Sequence, residues 1–515
     1  MNKLVKSTVA LMVVTIIAKM LGFVKDLVLA SCYGASGYSD SYIVALNIPT
    51  VIFGSIGVAL ATAFIPIYQE VKSLDGNEAA SDFSNNVFTI VGFLSILISI
   101  IAYIFAPQIV KLFAIGFKGD ILDTTIMFTK VLIMSIIFIS MTNLNTSYLQ
   151  IKNNFVIPGL VGLPFNIVVI ISIVLSSKSS LQVLAYGTLL AFAVQSIYLI
   201  PFSKKNGFKY KFTLKLRDKY IKSMILLLLP MLIGVAVNQV NIMVDRTLAS
   251  TLTEGSISAL NYANKLISFI MGLFITSIAA VIYPMLSKYS SEKNHTKFNK
   301  AIVSSINIII LIIIPITIGA IIFAYPVVKL LFERGEFDST ATSMTAQALV
   351  YYSIGMIGLG LRDVLSKIFY SLKDTRTPMI NGIFTVFLNI VLNIILIRYM
   401  GHSGLALATS IASIISVMIL FISLRMKIGN FGEIKILKCL LKSIISSVLM
   451  GIAAIVTYNG LVSVLGDGFN GQVMTLGFSV LIGCIVYASI MLFLKIEEVD
   501  YMKKNLKSIL NYRHK

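Results

Sequence analysis

Stretches of about twenty mostly apolar residues, the length that carries an α-helix across a bilayer, recur from one end of this chain to the other. That recurrence leaves few folds open. In the hydrocarbon core every backbone N–H and C=O must find a partner within the protein, which only helices and closed barrels achieve. A barrel strand reads as alternation over about ten residues. The runs here are continuous, so the expected fold is an all-α polytopic membrane protein. Composition agrees: of 515 residues 57% are hydrophobic and 12% charged, against about 25% charged in a soluble domain.

Turn residues and charges divide the runs into fourteen expected transmembrane helices, beginning near residues 8, 41, 86, 124, 156, 181, 220, 256, 300, 341, 378, 402, 436 and 471. The first run lacks a small-residue cleavage site and leads into a second, so it reads as a retained helix. A formal charge of +20 would suit a nucleic acid. The basic residues, however, gather in short joins with no aromatic-interleaved basic domain, and no nucleic-acid partner is expected. The 203–222 join carries Lys204, Lys205, Lys209, Lys211, Lys215, Arg217, Lys219 and Lys222 against the single acid Asp218. Lys288, Lys293, Lys297 and Lys300 fill the next basic join, Arg425, Lys427, Lys435, Lys438 and Lys442 another, and the tail after Lys495 is basic too. The joins 32–41 and 250–258 contain no Lys or Arg, and the one near 465 has Asp467 alone. The positive-inside rule then places the basic joins and both termini in the cytoplasm, with attraction to anionic lipid as a secondary use. Cys32, Cys439 and Cys484 show no ligand spacing, so neither a disulfide framework nor a metal cluster is indicated.

The chain also repeats itself. Asp26-Leu-Val-Leu-Ala-Ser31 returns as Asp245-Arg-Thr-Leu-Ala-Ser250, an offset of 219, and at that offset Pro107 maps to Pro326 and Phe113 to Phe332. Tyr148 to Lys152 before Pro158 parallels Tyr370 to Lys373 before Pro378, and Leu184 to Thr188 parallels Leu405 to Thr409. Ordered matches at a nearly constant offset imply a duplication. The expected domains are a six-helix half at 1–203, a basic cytoplasmic linker at 204–218, a second six-helix half at 219–425, helices 13 and 14 at 426–495, and a basic tail at 496–515. Six spans are an even number, so the halves share one orientation: a parallel repeat about a pseudo-two-fold axis along the membrane normal. In such transporters the substrate sits between rocking halves.

Charges inside the apolar runs are the candidate functional residues, because a charge at the middle of a spanning helix costs roughly 2.5–3.5 kcal/mol on insertion scales. Lys19, Lys25 and Asp26 lie in the first run and Lys265 begins the apolar part of the eighth. Lys19 and Lys25 are separated by about 9 Å along a helix and about 120° in heading. They can grip separate oxygens of an extended anion, with Gly22 between them permitting a kink or a close approach. The competing reading has Lys19 snorkelling to the interface, Lys25 paired with Asp26, and Lys265 as an interfacial anchor. Asp40 suits a cap for the second helix. Pro49 and Pro66 can bend that helix, and Gly54 and Gly57 can loosen it or serve a helix contact. A second constellation joins Asp245, Asn389, Asn393 and Thr409, oxygen donors on three helices that suit a small hard cation or, equally, hydrogen bonds between helices. His295, His402 and His514 fall in loops or the tail, and no phosphate-binding loop is present. An enzyme is not expected, and energy must come from ion gradients, membrane potential or the substrate gradient.

The strings AKMLGFVKDLVLASCYGA (18–35), FIPIY (64–68), DRTLAS (245–250), EGSISALNYANKL (254–266), LFERGEF (331–337) and YSLKDTRTP (370–378) resemble the MurJ/MviN lipid II flippases of the multidrug/oligosaccharidyl-lipid/polysaccharide exporter superfamily. The resemblance covers the whole chain. It implies movement of lipid II, a lipid-linked peptidoglycan precursor, from the inner to the outer leaflet of a bacterial cytoplasmic membrane by alternating access, with the anionic head group in a cationic central cavity. It makes Lys19, Lys25 and Lys265 cavity cations at positions where the family usually has arginine, and Asp26 and Asp40 the matching acids. A further family arginine has no counterpart around Phe53 and Gly54. Lysine is a point charge where arginine offers a bidentate fork, so a diphosphate is held less directionally. The resemblance also implies a sodium site at Asp245, Asn389, Asn393, Thr409 and the carbonyl of Leu405, with Asn393 where an acid is common. Sodium or the membrane potential would reset the cycle. Helices 13 and 14 would line a groove for the polyprenyl tail. The implied partners are the polyprenyl-diphosphate-linked glycopeptide and membrane lipids, with the protein acting as a monomer. The alternatives are a flippase for another polyprenyl-linked glycan, a multidrug exporter, whose organic cations these lysines would repel, and a non-transporting scaffold, which gives buried charge no purpose.

Overall fold

The protein is described by a computed structural model over residues 3–292, 294–466 and 468–494. Lys293, Asp467 and the basic tail from residue 495 onward lie outside the described residues. The chain falls into two compact units, Met1–Ser258 with Arg334–Asp338, and Ala259–Glu333 with Ser339–Lys515. This division differs from the repeat boundary near 204–218, because the seventh expected span packs with the first unit.

In the first unit the helices are α1 (Lys3–Tyr33), α2 (Gly37–Pro49), α3 (Ser55–Ile104), α4 (Ala106–Phe113), α5 (Gly119–Ile133), α6 (Ser135–Ile151), α7 (Val156–Leu160), α8 (Gly162–Ser176), α9 (Leu181–Lys205) and α10 (Lys219–Ala249). Long runs of Ile, Leu, Val and Phe make them helical because lipid offers the backbone no other partner, and polar residues fix their starts. Ser36 caps α2 in a reciprocal capping box with Ser39, and Asp218 caps α10 by accepting from the Tyr220 N–H at 2.8 Å. Leu29, Tyr42, Phe128, Leu132, Val169, Ile173 and Leu184 form the core where α1, α2, α5, α8 and α9 meet. The Tyr42 hydroxyl and Thr188 Oγ1, 2.9 Å apart, join α2 to α9. Bonds of this kind average about 0.6 kcal/mol in a membrane protein.

The second unit holds α11 (Ser256–Ser291) from its second turn on, α12 (His295–Ile322), α13 (Ala324–Phe332), α14 (Ser339–Ile354), α15 (Met356–Ser371), α16 (Arg376–Ile428), α17 (Glu433–Leu465) and α18 (Phe469–Phe493). Phe323 packs against Ala454 and Leu476. Asn381 Nδ2 donates to the Ser416 carbonyl at 3.0 Å, bracing the two limbs of α16.

Two of the longest helices are broken. Gly76 in α3 (φ 87°) and Gly401 in α16 (φ 55°) leave helical geometry, each dividing its helix into two limbs. Among the described residues nine helices are long and apolar enough to cross a membrane, or ten if the bent pair Ser339–Ile354 and Met356–Ser371 is one span. Two turns match in detail. Asn153 and Lys373 both take left-handed geometry, at φ 58° and 61°. The next residues, Asn154 and Asp374, donate their N–H to Leu149 and Phe369, both at 2.9 Å.

Candidate functional site

Lys19, Lys25 and Asp26 share α1, and their surroundings differ. Lys19 is exposed, Lys25 half-buried and Asp26 buried, and Lys25 Nζ lies 3.2 Å from Asp26 Oδ1. The pairing weighed from the sequence is therefore present, and Lys25 can reach an anion only by sharing or leaving Asp26. The helix runs unbroken past Gly22. A side chain there would meet Asn166 of α8 at 3.6 Å, so neither the kink nor the close approach expected at Gly22 is found. After Pro49 the second span passes through a π-helical turn, Thr50–Gly54, which joins α2 to α3. Phe53 is buried in that turn, whereas Pro66 lies inside α3. Gly57 is a contact residue: a Cβ there would fall 1.9 Å from Asn143 Nδ2 of α6.

Asp40 does not cap its own helix, a place that Ser36 fills. Its carboxylate instead receives the start of α11: Oδ2 accepts from the Gly255 N–H at 2.8 Å, and Oδ1 from the Ser258 N–H at 2.7 Å and the Ser258 hydroxyl at 2.5 Å. A carboxylate meeting otherwise unpartnered N–H groups at a helix N-terminus is stabilised by both the hydrogen bonds and the helix dipole. Asp40 is buried and its oxygens are engaged.

Around Asp40 the parts of the family-like strings that lie in the first unit, at 31–35, 255–258 and 335–336, come together. The Glu336 N–H donates to the Ser31 carbonyl at 2.9 Å, and a Cβ on Gly335 (φ 62°) would fall 2.2 Å from that same oxygen. The Gly116 N–H donates to Ser250 Oγ at 3.0 Å, and a Cβ on Gly116 would fall 2.1 Å from the Ser250 carbonyl. Ser39 and Ser258 hydroxyls lie 2.8 Å apart. Glycine is required at 335 and 116, because one chain segment rests directly on the backbone of another.

In the second unit Asn389, Asn393, Leu405 and Thr409 do converge, on the two limbs of α16. Asn393 Nδ2 donates to Asn389 Oδ1 at 3.1 Å, Asn389 Nδ2 to Thr409 Oγ1 at 3.3 Å, and Thr409 Oγ1 to the Leu405 carbonyl at 3.1 Å. These four neutral groups are bonded to one another and bring no formal charge. Among themselves they make a hydrogen-bond chain between the two limbs, and any formal charge to offset a cation would have to come from outside these four groups. Asp245, half-buried on α10, belongs to the first unit, and Lys265, exposed on α11, to the second. Among the described residues no three His, Cys, Asp or Glu side chains are grouped to hold a metal. The second unit also contains an apolar cavity of about 420 Å³ bounded by α11, α12, α17 and α18, including Phe269, Ile316, Met450 and Cys484.

The sequence reading passed over two features. Arg362, Asp363 and Lys367 place three charges on α15, with Lys367 Nζ 3.9 Å from Asp363 Oδ1; the string RDVLSK within an apolar run was the available signal. The contacts of Ser31, Gly116, Ser250 and Gly335 were open to the offset arithmetic, since 219 carries Ser31 to Ser250 and Gly116 to Gly335.

Spanning helices in two units, with charged and amide side chains kept inside them, define a multispanning α-helical membrane protein. Its fold is shared with an inward-facing multidrug resistance MATE family transporter of the MOP superfamily (TM-score 0.68, 18% identity, covering 81% of this chain and 96% of that one). A structure titled "Lipid II flippase MurJ, inward closed conformation" superposes with a TM-score of 0.81 at 26% identity, covering 94% of this chain and 99% of that one. The family profile described as lipid II flippase MurJ matches residues 29–479, and the chain belongs to that family. A probable lipid II flippase MurJ from Buchnera aphidicola subsp. Acyrthosiphon pisum is 28% identical over 513 residues, 98% of this chain and 99% of the relative. The lipid II flippase MurJ of Burkholderia cenocepacia is 26% identical over 421 residues, 80% of this chain and 82% of the relative. The resemblance carried by the motifs is borne out.

Proposed function

We propose that this protein moves lipid II from the inner to the outer leaflet of the bacterial cytoplasmic membrane by alternating access, acting as a transporter and not as a catalyst. The observation that carries the reading is the family match along residues 29–479. Lys19 and Lys25 of α1 and Lys265 of α11 supply the cations for the diphosphate, Lys25 exchanging Asp26 for it. Asp40 works indirectly, by holding the start of the helix that bears Lys265. The apolar cavity beside α17 and α18 suits a polyprenyl tail.

Fourteen spans are supported by the breaks at Gly76 and Gly401, which divide α3 and α16 into limbs. The pseudo-two-fold repeat is supported by contacts that occur in exchanged pairs. Ser31 meets Gly335 as Ser250 meets Gly116, and Ser39 meets Ser258, its own equivalent at an offset of 219. Exchanged pairs are what a two-fold relation produces, and a residue meets its equivalent only near the axis. The contacts of Ser39 and Asp40 with Gly255 and Ser258 fall in the joins 32–41 and 250–258, which hold no Lys or Arg and which the positive-inside rule puts at the outer face, opposite cytoplasmic termini. In this scheme the seam parts to release the head group outside.

The test is the accessibility of lipid II at the outer leaflet after the protein is depleted. Loss of outer lipid II with accumulation inside is expected. Undiminished outer lipid II with accumulation of another lipid-linked glycan would reassign the cargo. Sodium coupling is a separate proposal centred on Asp245: Asp245→Ala should abolish sodium-dependent thermal stabilisation of the purified protein, and equal sodium shifts in variant and parent would remove it.

A further inference from the structure

The join between α9 and α10 does more than orient the chain. Its residues alternate, with Phe208, Tyr210, Phe212, Leu214 and Leu216 at even positions and Lys209, Lys211, Lys215 and Arg217 at odd ones. The aromatic residues strap the join to the second limb of α3. The Phe208 ring lies 4.6 Å from Phe88, the Tyr210 hydroxyl 3.1 Å from Thr89 Oγ1, and the Phe212 ring 6.2 Å from Phe93. Asn86 ties down the far end, accepting from the Lys215 N–H at 2.8 Å and donating to its carbonyl at 3.0 Å.

Beneath the strap is a cavity of about 550 Å³ between α3, α6 and α9, walled by apolar side chains such as Ile96, Phe138, Met141 and Ile197, with Lys204 in its lining. That volume lies within the range of about 300–1,000 Å³ typical of ligand sites. Ile197 is 58% and Phe212 63% exposed, so the cavity opens on a face that is apolar and bordered by cations. Apolar side chains alternating with lysines suit the boundary between acyl chains and head groups.

We infer that the strap and cavity bind an anionic phospholipid of the cytoplasmic leaflet, one acyl chain entering the cavity and the phosphate meeting Lys204, Lys209 and Lys211. Charge complementarity selects this occupant. The 203–222 join holds eight cations and one acid, an excess that a zwitterionic lipid leaves unanswered, and each lysine at an anionic surface adds about a fivefold gain in affinity. The inference rests on the membrane orientation and not on the cargo, so it stands or falls separately from lipid II transport.

The experiment uses the purified full chain and phosphatidylglycerol bearing a photoactivatable group near the end of one acyl chain. Label should concentrate on segments 88–96, 137–145 and 196–212. Unlabelled phosphatidylglycerol should compete at least tenfold better than phosphatidylcholine. The triple variant Lys204→Gln, Lys209→Gln, Lys211→Gln should erase that preference. Gly92→Leu should abolish the label with every charge in place, since a side chain at 92 enters the cavity with Met141 Cε at 3.5 Å as its near neighbour. Equal competition by both lipids would make the occupant unselected annular lipid, and stronger competition by a polyprenyl diphosphate would make the cavity part of the cargo path; either overturns the inference, as does label that Gly92→Leu leaves unchanged. Should Gly92→Leu fail to fold, the lysine variant decides alone.

Discussion

In the transport cycle proposed above, Lys25 is where structure and cargo compete for one charge. Its ammonium is 3.2 Å from Asp26, and the Asp26 side chain is 6% exposed. Removing one member of a buried pair leaves the other charge uncompensated, at a cost of about 3–5 kcal/mol, whereas neutralising both with side chains of similar volume is often nearly neutral. Lys25→Ala alone would therefore confuse lost folding with lost binding. The double variant Lys25→Gln with Asp26→Asn keeps the shape and removes the charge. It should melt within a few degrees of the parent and fail to complement a flippase-depleted cell. Full complementation by a stably folded double variant would show that the pair serves only the helix packing. Asp40 shows a related limit at this scale. Its placement near a helix start was legible from Gly37-Tyr-Ser-Asp40, but which helix it serves was not, because its partners Gly255 and Ser258 are more than two hundred residues away.

At the scale of elements, the family-like string 370–378 has a physical reading. Asp374 stands just before α16, accepting from the Thr377 N–H at 3.0 Å and its hydroxyl at 2.8 Å, and it pairs with Lys427 at the far end of that long, broken helix. Partial burial works to raise the Asp374 pKa, but Lys427 and Thr377 outweigh it and hold the carboxyl at about 2. A carboxyl depressed in the folded state contributes stability above its unfolded value near 4, and that contribution fades as pH falls toward 2. Asp374→Ala should therefore cost about 1 kcal/mol at neutral pH, as a lost cap does. The gap in melting temperature from the parent should close between about pH 4 and pH 2. A gap that persists undiminished at the acid end would mean that the carboxylate's charge is not what matters. The matching turn at Asn153 and Asn154 carries an amide in place of the acid, so the corresponding variant Asn154→Ala should show no such pH dependence.

For the whole molecule, the apolar runs made the helical class legible because lipid removes every alternative for the backbone, and the 219-residue offset pointed to a duplication as a pattern of letters. The breaks at Gly76 and Gly401 lie between the spans expected to begin near 41 and 86 and near 378 and 402, while the π-helical turn after Pro49 was not foreseeable, since a proline marks a bend without fixing its form. The Asn389–Asn393–Thr409 convergence was legible from one-turn spacing, but the direction of its hydrogen bonds was not, because an amide serves a cation or another amide equally well. The proposed two-fold repeat also makes a claim about motion. If the halves part at Ser39 and Ser258, whose hydroxyls are 2.8 Å apart, a covalent link there should stop transport. Cysteines at both positions lie within reach of a disulfide, in a background where Cys32, Cys439 and Cys484 are replaced by serine. Ser258→Cys alone reports the cost of losing the hydroxyl bond to Asp40. The oxidised double variant should fail to bring lipid II to the outer leaflet, and reductant should restore it to the level of that single variant. Normal lipid II exposure with the disulfide fully formed would mean that the seam stays shut throughout the cycle, and the halves would have to open elsewhere.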